Sequence, residues 1–300
     1  MYSFLMRSQG MLEEMDEIPP GLPVFGEVTE TRRLAGGMHG ATWLLVLSDG
    51  SSVVVKSGEH LPAGLFLAEA EGLAAIAATR SLLTPTVLHA GPSHLVLERL
   101  VPPPVDDSSF WEEAGRAVGA LHATPGPAHG WHEDNWLGVL PQHNSWCVDG
   151  HDFFIRNRVL RLSNEPRAQV ALGTEGISGI ERICSKFHEL VPPMPPVLCH
   201  GDLWRGNILA THDGRPAVVD PAVAYTWAEV DISMMYCEER PPERFFDGYH
   251  EFHRPEPGWR ERMELLHIRE LLSTLAHFGD HQELCRPTLS RVHELIATYG

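Results

Sequence analysis

Hydrophobic periodicity near the start of the chain predicts a hairpin followed by a helix. Residues 41–48 and 52–56 are apolar and rich in β-branched side chains, and the Asp-Gly dipeptide at 49–50 between them favours a tight turn. Residues 66–79 are rich in Ala, Leu and Glu, with apolar positions at helical spacing. We therefore expect two antiparallel strands and then a helix.

A run of prolines separates this part from the rest of the chain. Residues 94–100 have the apolar pattern of a buried strand, and the prolines at 102–104 end it. Beyond them the pattern is mostly helical, and Ser109 and Glu112 form a capping box at the start of one helix. The exception is 197–220, where short apolar pieces surround a polar loop.

These elements predict an α+β protein with two lobes. We expect an extension at 1–20 and a small N-terminal lobe at 21–100, made of an antiparallel β-sheet with one helix. A larger, mainly α-helical lobe should occupy 101–300.

Composition and charge narrow the possible partners. Of the 300 residues 43% are hydrophobic and 21% charged, an ordinary globular balance. The formal net charge of −17 would repel phosphate backbones, so we expect no nucleic acid partner. We also expect no membrane span, because the chain contains no apolar stretch of 18 residues. The five cysteines include no CxxC pair, which indicates reduced thiols in a cytoplasmic protein and offers no structural zinc site.

The segment with the clearest chemistry combines two carboxylates and a carboxamide. Asp202 and Asn207 lie five positions apart in the polar loop, and Asp220 follows at the end of a predicted strand. Phosphoryl transfer to a hydroxyl needs one carboxylate that orients the acceptor and takes its proton. It also needs an amide oxygen and a second carboxylate that hold Mg²⁺. The protein-kinase catalytic loop has the same Asp-to-Asn spacing, so we predict an ATP- and Mg²⁺-dependent transfer to a hydroxyl.

The first lobe should then bind the nucleotide. Lys56 ends the second hairpin strand and matches the kinase strand lysine that contacts phosphates and pairs with a helix glutamate. The predicted helix offers Glu69 and Glu71, whose directions differ by about 200°. Only one can face Lys56, and we predict Glu69.

Two further segments are candidate nucleotide contacts. Gly36 and Gly37 precede the first hairpin strand, where glycines would let backbone amides approach phosphates closely. Glu98 and Leu100 lie just before the prolines, where a linker between lobes would offer backbone groups to adenine.

The chain resembles the fructosamine (ketosamine) kinase family, a branch of the aminoglycoside-phosphotransferase-like, protein-kinase-like enzymes. The resemblance runs from about Gly36 onward and is strongest in HGDLWRGN at 200–207, with Asp-Pro-Ala at 220–222 and Glu-Val-Asp at 229–231. Further matching segments are 66–73, 129–138, 141–144 and Phe153-Phe154 with Arg156 and Arg158.

The resemblance implies a two-lobed protein-kinase-like fold and transfer of the ATP γ-phosphoryl group to a sugar hydroxyl of a ketosamine. Ketosamines are adducts of sugars and amines, and phosphorylation destabilises them so that the amine is released, which is deglycation. By resemblance Asp202 is the general base, Asn207 and Asp220 bind Mg²⁺, and Lys56 with Glu69 fixes the ATP phosphates. The partner is then a small sugar-amine or glycated amine. Separately from the resemblance, we expect a monomer or weak dimer.

The departures from the family pattern cluster on the acceptor side. Thr226-Trp227-Ala228 stands where relatives usually have Gly-His-Arg, and Arg205 replaces a serine. These changes leave the phosphoryl-transfer residues intact and leave the acceptor open. Met38 replaces a cysteine that is redox-sensitive in some relatives, so we expect no thiol switch there.

A sugar pocket needs planar apolar faces and a few directed hydrogen bonds. The candidate acceptor residues are Trp131, His132, Asp134, Trp204, Trp227 and Asp231. We favour Trp204, because it lies two residues from the predicted base.

Three other functions remain open. One is an aminoglycoside, other antibiotic or amino-sugar O-phosphotransferase, since an acidic pocket suits any cationic acceptor. Another is a nucleotide-binding pseudokinase, against which the intact Asp202, Asn207 and Asp220 argue. The third is metal-dependent hydrolysis, suggested by His277 and His281 at helical spacing, although no HExxH motif accompanies them.

Overall fold

A computed structural model describes residues 26–34, 40–104 and 107–300. Its first strands are β1 (Val28–Leu34), β2 (Ala41–Leu47), β3 (Ser52–Ser57), β4 (Val87–Ala90) and β5 (His94–Glu98). They form one antiparallel sheet in the order β1-β2-β3-β5-β4, and helix α1 (Leu65–Thr79) follows β3.

The rest of the described chain is mainly helical. Its helices are α2 (Ser108–Leu121), α3 (Gly150–Phe154), α4 (Arg161–Ser163), α5 (Pro166–Leu190), α6 (Ala228–Cys237), α7 (Arg244–His250), α8 (Trp259–Leu266), α9 (Ile268–Phe278) and α10 (Gln282–Tyr299). Short strands form three pairs, β6 (Asn135–Leu137) with β7 (Leu140–Gln142), β8 (Val197–Cys199) with β11 (Ala224–Thr226), and β9 (Ile208–Ala210) with β10 (Pro216–Val218). A π-helical segment, Ile155–Leu160, follows α3, and a 3₁₀ helix, Arg205–Asn207, precedes β9.

Alternation along the strands gives the five-stranded sheet two apolar faces. Val96 belongs to one buried cluster, whereas its neighbours Leu95 and Leu97 belong to another, together with Phe66 and Leu73 of α1. Successive side chains of a strand point to opposite faces, so α1 covers the face that carries Leu95 and Leu97.

The described chain divides into two compact units. The first contains the described residues up to Leu121 together with Trp204–Ala222 and Pro241–Phe252. The second contains His122–Leu203, Val223–Arg240 and His253–Gly300. The domain boundaries expected from the sequence, 21–100 and 101–300, stay a prediction, and the extension at 1–20 lies outside the described residues.

The mixed α+β architecture predicted from the sequence is confirmed. The observed β2, β3 and α1 lie within one residue of the predicted ranges 41–48, 52–56 and 66–79. β1 was not predicted. No helix of the described residues is both long and apolar enough to cross a membrane.

Candidate active site

A hairpin in the first unit brings the backbones of Asn207 and Asp220 together. Strands β9 and β10 pair with Ile208 opposite Val218, so the residues just before β9 and just after β10 are neighbours. The Val219 N–H donates to the Asn207 carbonyl oxygen at 3.1 Å. The sequence prediction that the intervening hairpin joins the two segments is confirmed.

Asp220 adopts an unusual backbone conformation directly after this hairpin. Its φ is 60°, in the left-handed region that aspartate tolerates better than most non-glycine residues. Such conformations cost of order 1–3 kcal/mol and cluster at functional sites. The Asp220 side chain is 40% exposed and contacts Lys56.

Lys56 at the end of β3 lies between two carboxylates of the first unit. Its Nζ is 2.5 Å from Glu69 Oε1 of α1 and also contacts Asp220 Oδ1. Burial alone would lower the pKa of Lys56, but the Asp220 and Glu69 carboxylates hold it above its ordinary value. Burial raises the pKa of Glu69 to about 7 against the opposing effect of Lys56. In the first unit, the carboxylates of Glu69 and Asp220 thus both contact the Lys56 ammonium group.

The donors at the end of the β9–β10 hairpin suit a magnesium ion. Asn207 offers a carboxamide oxygen and Asp220 a carboxylate, and Mg²⁺ prefers such hard oxygen ligands while keeping positions for water and phosphate. Asn207 is only 5% exposed, which fixes its position, whereas the Asp220 side chain remains accessible. The residues present therefore fit a divalent metal that binds together with ATP phosphates.

The loop that carries Asp202 belongs to the second unit and is held by a buried carboxylate. Asp231, which is 1% exposed, accepts hydrogen bonds from the His200 N–H at 2.6 Å and the Gly201 N–H at 2.9 Å. The His122 Nε2 lies 3.1 Å from the same carboxylate. Gly201 has a φ of 82°, which an ordinary side chain would strain. The buried Asp231 carboxylate therefore holds the loop backbone that positions Asp202.

The same contacts set the charge state of Asp231. Burial would raise the pKa of Asp231, but hydrogen bonding and charge from His122, with support from His200 and Gly201, hold it below its ordinary value. The carboxylate therefore stays ionised at neutral pH and keeps accepting both backbone N–H groups.

A buried arginine also faces the acidic groups of the second unit. Arg269 is 1% exposed, pairs with Glu270 and donates from Nη2 to the Gln142 Oε1 at 2.9 Å. Burial would lower the pKa of Arg269, but Glu270 and then Asp202 hold it above its ordinary value. The Asp202 carboxylate thus has a fixed positive group within electrostatic range.

The predicted nucleotide contacts fall in different places. Gly36 and Gly37 lie outside the described residues, as does Met38. The Glu98 carboxylate accepts from the Thr86 N–H at 3.0 Å and hydroxyl at 2.8 Å, so its side chain is occupied within the sheet. Leu100 follows β5 and is partly buried. A contact with adenine through the backbone of 98–100 stays a prediction.

Aromatic rings gather around two of the predicted acceptor residues. The Trp131 ring lies 4.8 Å from that of His132 and 5.4 Å from that of Tyr225, and Trp146 stacks on Tyr225 at 6.1 Å between centroids. Sequence reasoning missed Tyr225 and Trp146, because Tyr225 comes beside the Trp131 segment only through its backbone bridge to Gly130, which is distant in sequence. The exposed Asp134 carboxylate binds the Asn144 N–H at 2.8 Å and thereby holds the adjoining turn.

Trp204 packs on its own loop in the first unit. A Cβ at Gly206 would come within 2.1 Å of the Trp204 ring, so the glycine is what allows the ring to lie there. The Arg205 guanidinium lies 5.1 Å from the centroid of Trp111. Trp204 is partly buried and keeps some ring surface open, as an acceptor contact requires.

Trp227 and Asp231 require a correction. Trp227 is fully buried, stacks on Phe154 at 5.6 Å and meets the edge of His151 at 5.0 Å, so it has no surface to offer an acceptor. Both oxygens of the Asp231 carboxylate accept hydrogen bonds from the backbone of the Asp202 loop. The prediction that these two side chains contact the acceptor is therefore wrong, and both act from the interior.

Comparison with known proteins decides the family. The family model described as fructosamine kinase matches residues 24–292, most of the chain. The chain belongs to the fructosamine kinase family. The family predicted from HGDLWRGN and its companion motifs is thereby confirmed. A probable ketoamine kinase of Synechocystis is 33% identical over 258 residues, which cover 84% of this chain and 86% of that protein.

Solved structures confirm the predicted protein-kinase-like fold. A Thermobifida fusca structure with a provisional fructosamine-3-kinase assignment has a TM-score of 0.79 at 26% identity and covers 90% of this chain and 95% of its own. The aminoglycoside phosphotransferase APH(4)-Ia has a TM-score of 0.64 at 15% identity and covers 91% of this chain and 95% of its own. The second likeness concerns the fold alone.

Proposed function

We propose that this member of the fructosamine kinase family transfers the γ-phosphoryl group of ATP to a sugar hydroxyl of a ketosamine. The observation that carries the proposal is the convergence of Lys56, Glu69 and Asp220 at the hairpin end that also bears Asn207. Family membership supports ATP and a divalent metal as co-reactants. Mg²⁺ is our specific choice, because the oxygen donors of Asn207 and Asp220 match its preference.

Each polar group then has a distinct task. Asn207 and Asp220 hold the metal, which when bound neutralises charge on the phosphates. Lys56, positioned by Glu69, binds phosphate oxygens, and its positive charge favours the transition state of transfer. Asp202 orients the acceptor hydroxyl and accepts its proton. Asp231 keeps the Asp202 loop in place through the His200 and Gly201 amides.

Recognition of the acceptor is assigned to aromatic faces and a few polar groups. Trp131, His132 and Trp204 present planar surfaces that suit the C–H faces of a sugar. Asp134 is retained as an acceptor candidate because its side chain is exposed. The accompanying Tyr225 ring supports Trp131 from the neighbouring strand.

The ketosamine is favoured over an antibiotic or a free amino sugar. The Synechocystis relative is a probable ketoamine kinase and aligns over most of its length, whereas the antibiotic kinase shares the fold at 15% identity. A pseudokinase is disfavoured because Lys56, Glu69 and Asp220 remain in contact. A cytoplasmic location and a monomeric or weakly dimeric state stay predictions.

An acceptor panel tests the proposal. ADP release would be measured by a coupled assay with ketosamines of lysine, free amino sugars, aminoglycoside antibiotics and unmodified lysine as acceptors. We expect kcat/KM to be highest for a ketosamine, with the phosphorylated hydroxyl located on its sugar by NMR. Preferred turnover of an antibiotic would establish the alternative, and no acceptor-dependent turnover at all would contradict a kinase function.

A further inference from the structure

We propose that Asp149, His151 and His188 form a binding site for a zinc ion, distinct from the metal used in phosphoryl transfer. All three residues belong to the second unit. Asp149 is the residue that caps α3, His151 lies in the first turn of that helix, and His188 lies in the last turn of α5. The inference does not depend on the proposed function.

The ligand atoms are already close to one another. The His151 Nδ1 lies 3.6 Å from Asp149 Oδ1, and the His188 Nε2 lies 4.0 Å from Asp149 Oδ2. One ligand atom from each residue falls within 4.8 Å of the other two. Ligand atoms bound to tetrahedral zinc at about 2.1 Å lie roughly 3.4 Å apart. A modest inward movement would therefore complete the site.

A backbone hydrogen bond prepares His151 as a ligand. Its Nε2 is 2.8 Å from the Val191 carbonyl oxygen. Because a carbonyl only accepts hydrogen bonds, the neutral ring carries its proton on Nε2, and its Nδ1 lone pair is then on the side of Asp149. The ring is 5% exposed, so it is held in this orientation. Metal-binding histidines usually have such a partner on the second ring nitrogen.

The other two ligands can adjust to an incoming ion. The His188 and Asp149 side chains are 57% and 52% exposed. The His188 ring now stacks on that of His151 at 4.2 Å between centroids, so it must turn to direct Nε2 at a shared ion. Asp149 Oδ1 accepts the capping hydrogen bonds from the His151 and Asp152 N–H groups, which leaves Oδ2 on the side of His188.

The chemistry of the donors selects the metal. Two imidazoles and one carboxylate suit Zn²⁺ and disfavour Mg²⁺ or Ca²⁺, which prefer oxygen ligands. Magnesium supplied for the kinase reaction should therefore not compete with zinc for this site. Three protein ligands leave a fourth position for water. A bound ion would tie the start of α3 to the end of α5, so we expect zinc to raise the melting temperature.

The test measures zinc binding and thermal stability of the full chain in excess Mg²⁺. His188→Ala removes an exposed ligand, and Asp149→Ser removes the carboxylate while keeping a side chain that can cap α3. His281→Ala is the matched control, because His281 is 66% exposed beside Asp280 but outside the cluster. Equilibrium dialysis with metal analysis gives the affinity and stoichiometry, and Co²⁺ absorption bands report the ligand geometry.

We expect the wild-type chain and His281→Ala to bind one zinc each and to melt higher when zinc is added. His188→Ala and Asp149→Ser should bind zinc about tenfold or more weakly and lose the increase in melting temperature. Absence of stoichiometric zinc in the folded wild-type chain would overturn the proposal. So would a His188→Ala protein that binds zinc as tightly as wild type.

Discussion

At the scale of single residues, the candidate active site depends on one lysine that forms ion pairs with two carboxylates. Lys56 contacts both Glu69 and Asp220, and Lys186 is the only other lysine of the chain. Because the Lys56 ammonium is held by groups on β3, α1 and the β9–β10 hairpin, it is fixed before any phosphate arrives. Such preorganised charge stabilises a transition state effectively.

Replacement of this lysine should therefore abolish most activity. We expect Lys56→Met to lower kcat/KM for ATP by about 10²–10³-fold. The same change at Lys186, an exposed residue whose Nζ donates to the Gly300 carbonyl oxygen, should have little effect. Steady-state kinetics on both variants checks this, and equal losses would argue against a role for Lys56 in phosphate binding.

Residue types and spacing made part of this site predictable. Helical geometry allowed only one of Glu69 and Glu71 to face Lys56, and the structure pairs Lys56 with the predicted Glu69. The additional contact with Asp220 joins residues far apart in sequence, which no local pattern encodes. Trp227 was misassigned because a tryptophan beside a functional motif can face either the solvent or the core, and the sequence does not distinguish them.

At the scale of elements, glycines permit a close contact between α2 and α7. A Cβ at Gly115 would lie 1.9 Å from the Phe245 carbonyl oxygen, and one at Gly248 would lie 2.1 Å from the Glu112 carbonyl oxygen. Both obstacles are backbone atoms, which cannot move aside without shifting a helix. The two helices can therefore pack at this separation only with glycine at both positions.

A methyl group at this contact should destabilise the protein. We expect Gly115→Ala to lower the free energy of unfolding by about 1–3 kcal/mol. Gly119→Ala on the same helix is the control, because its Cβ would come no closer than 3.0 Å to the half-exposed Phe252, and a shift of a few tenths of an ångström relieves that contact. Alanine also favours the helix there by about 1 kcal/mol. Urea denaturation measures both, and equal effects would contradict the packing argument.

Elements with strong periodicity were predictable, and weakly patterned ones were not. β2, β3 and α1 carry alternating or helical apolar positions and lie within one residue of their predicted ranges. β1, with the sequence VTETRRL, is mostly exposed and pairs along the edge of the sheet, so its residues carry no hydrophobic alternation to detect.

The cluster of Asp149, His151 and His188 was not predicted from the sequence for another reason. Packing of α3 against the end of α5 brings the three residues together, and no local pattern encodes that packing.

At the scale of the whole molecule, burial of Asp231 connects the active-site loop to stability against acid. The folded-state pKa of Asp231 lies below its ordinary value. Its ionised form therefore contributes stability at pH values above the ordinary pKa. This contribution is lost as the pH falls through the folded-state value.

The pH dependence of Asp231→Asn should show this contribution. We expect the variant to be about 3 kcal/mol less stable than wild type near pH 7, because a buried hydrogen-bonded charge loses its interactions. The difference should shrink as the pH falls below about 4. Urea denaturation between pH 3 and 7 measures it, and a difference that does not change with pH would contradict the assignment.

The most direct test of the central assignment is the phosphorylation of a ketosamine by wild type and Asp202→Asn. We predict that wild type phosphorylates the sugar and that Asp202→Asn lowers kcat by about 10²–10⁴-fold with unchanged affinity for Mg²⁺-ATP. Asp213→Asn, at the exposed turn of the β9–β10 hairpin, should behave as wild type. Wild-type turnover by Asp202→Asn, or a wild-type protein that phosphorylates no ketosamine, would contradict the account.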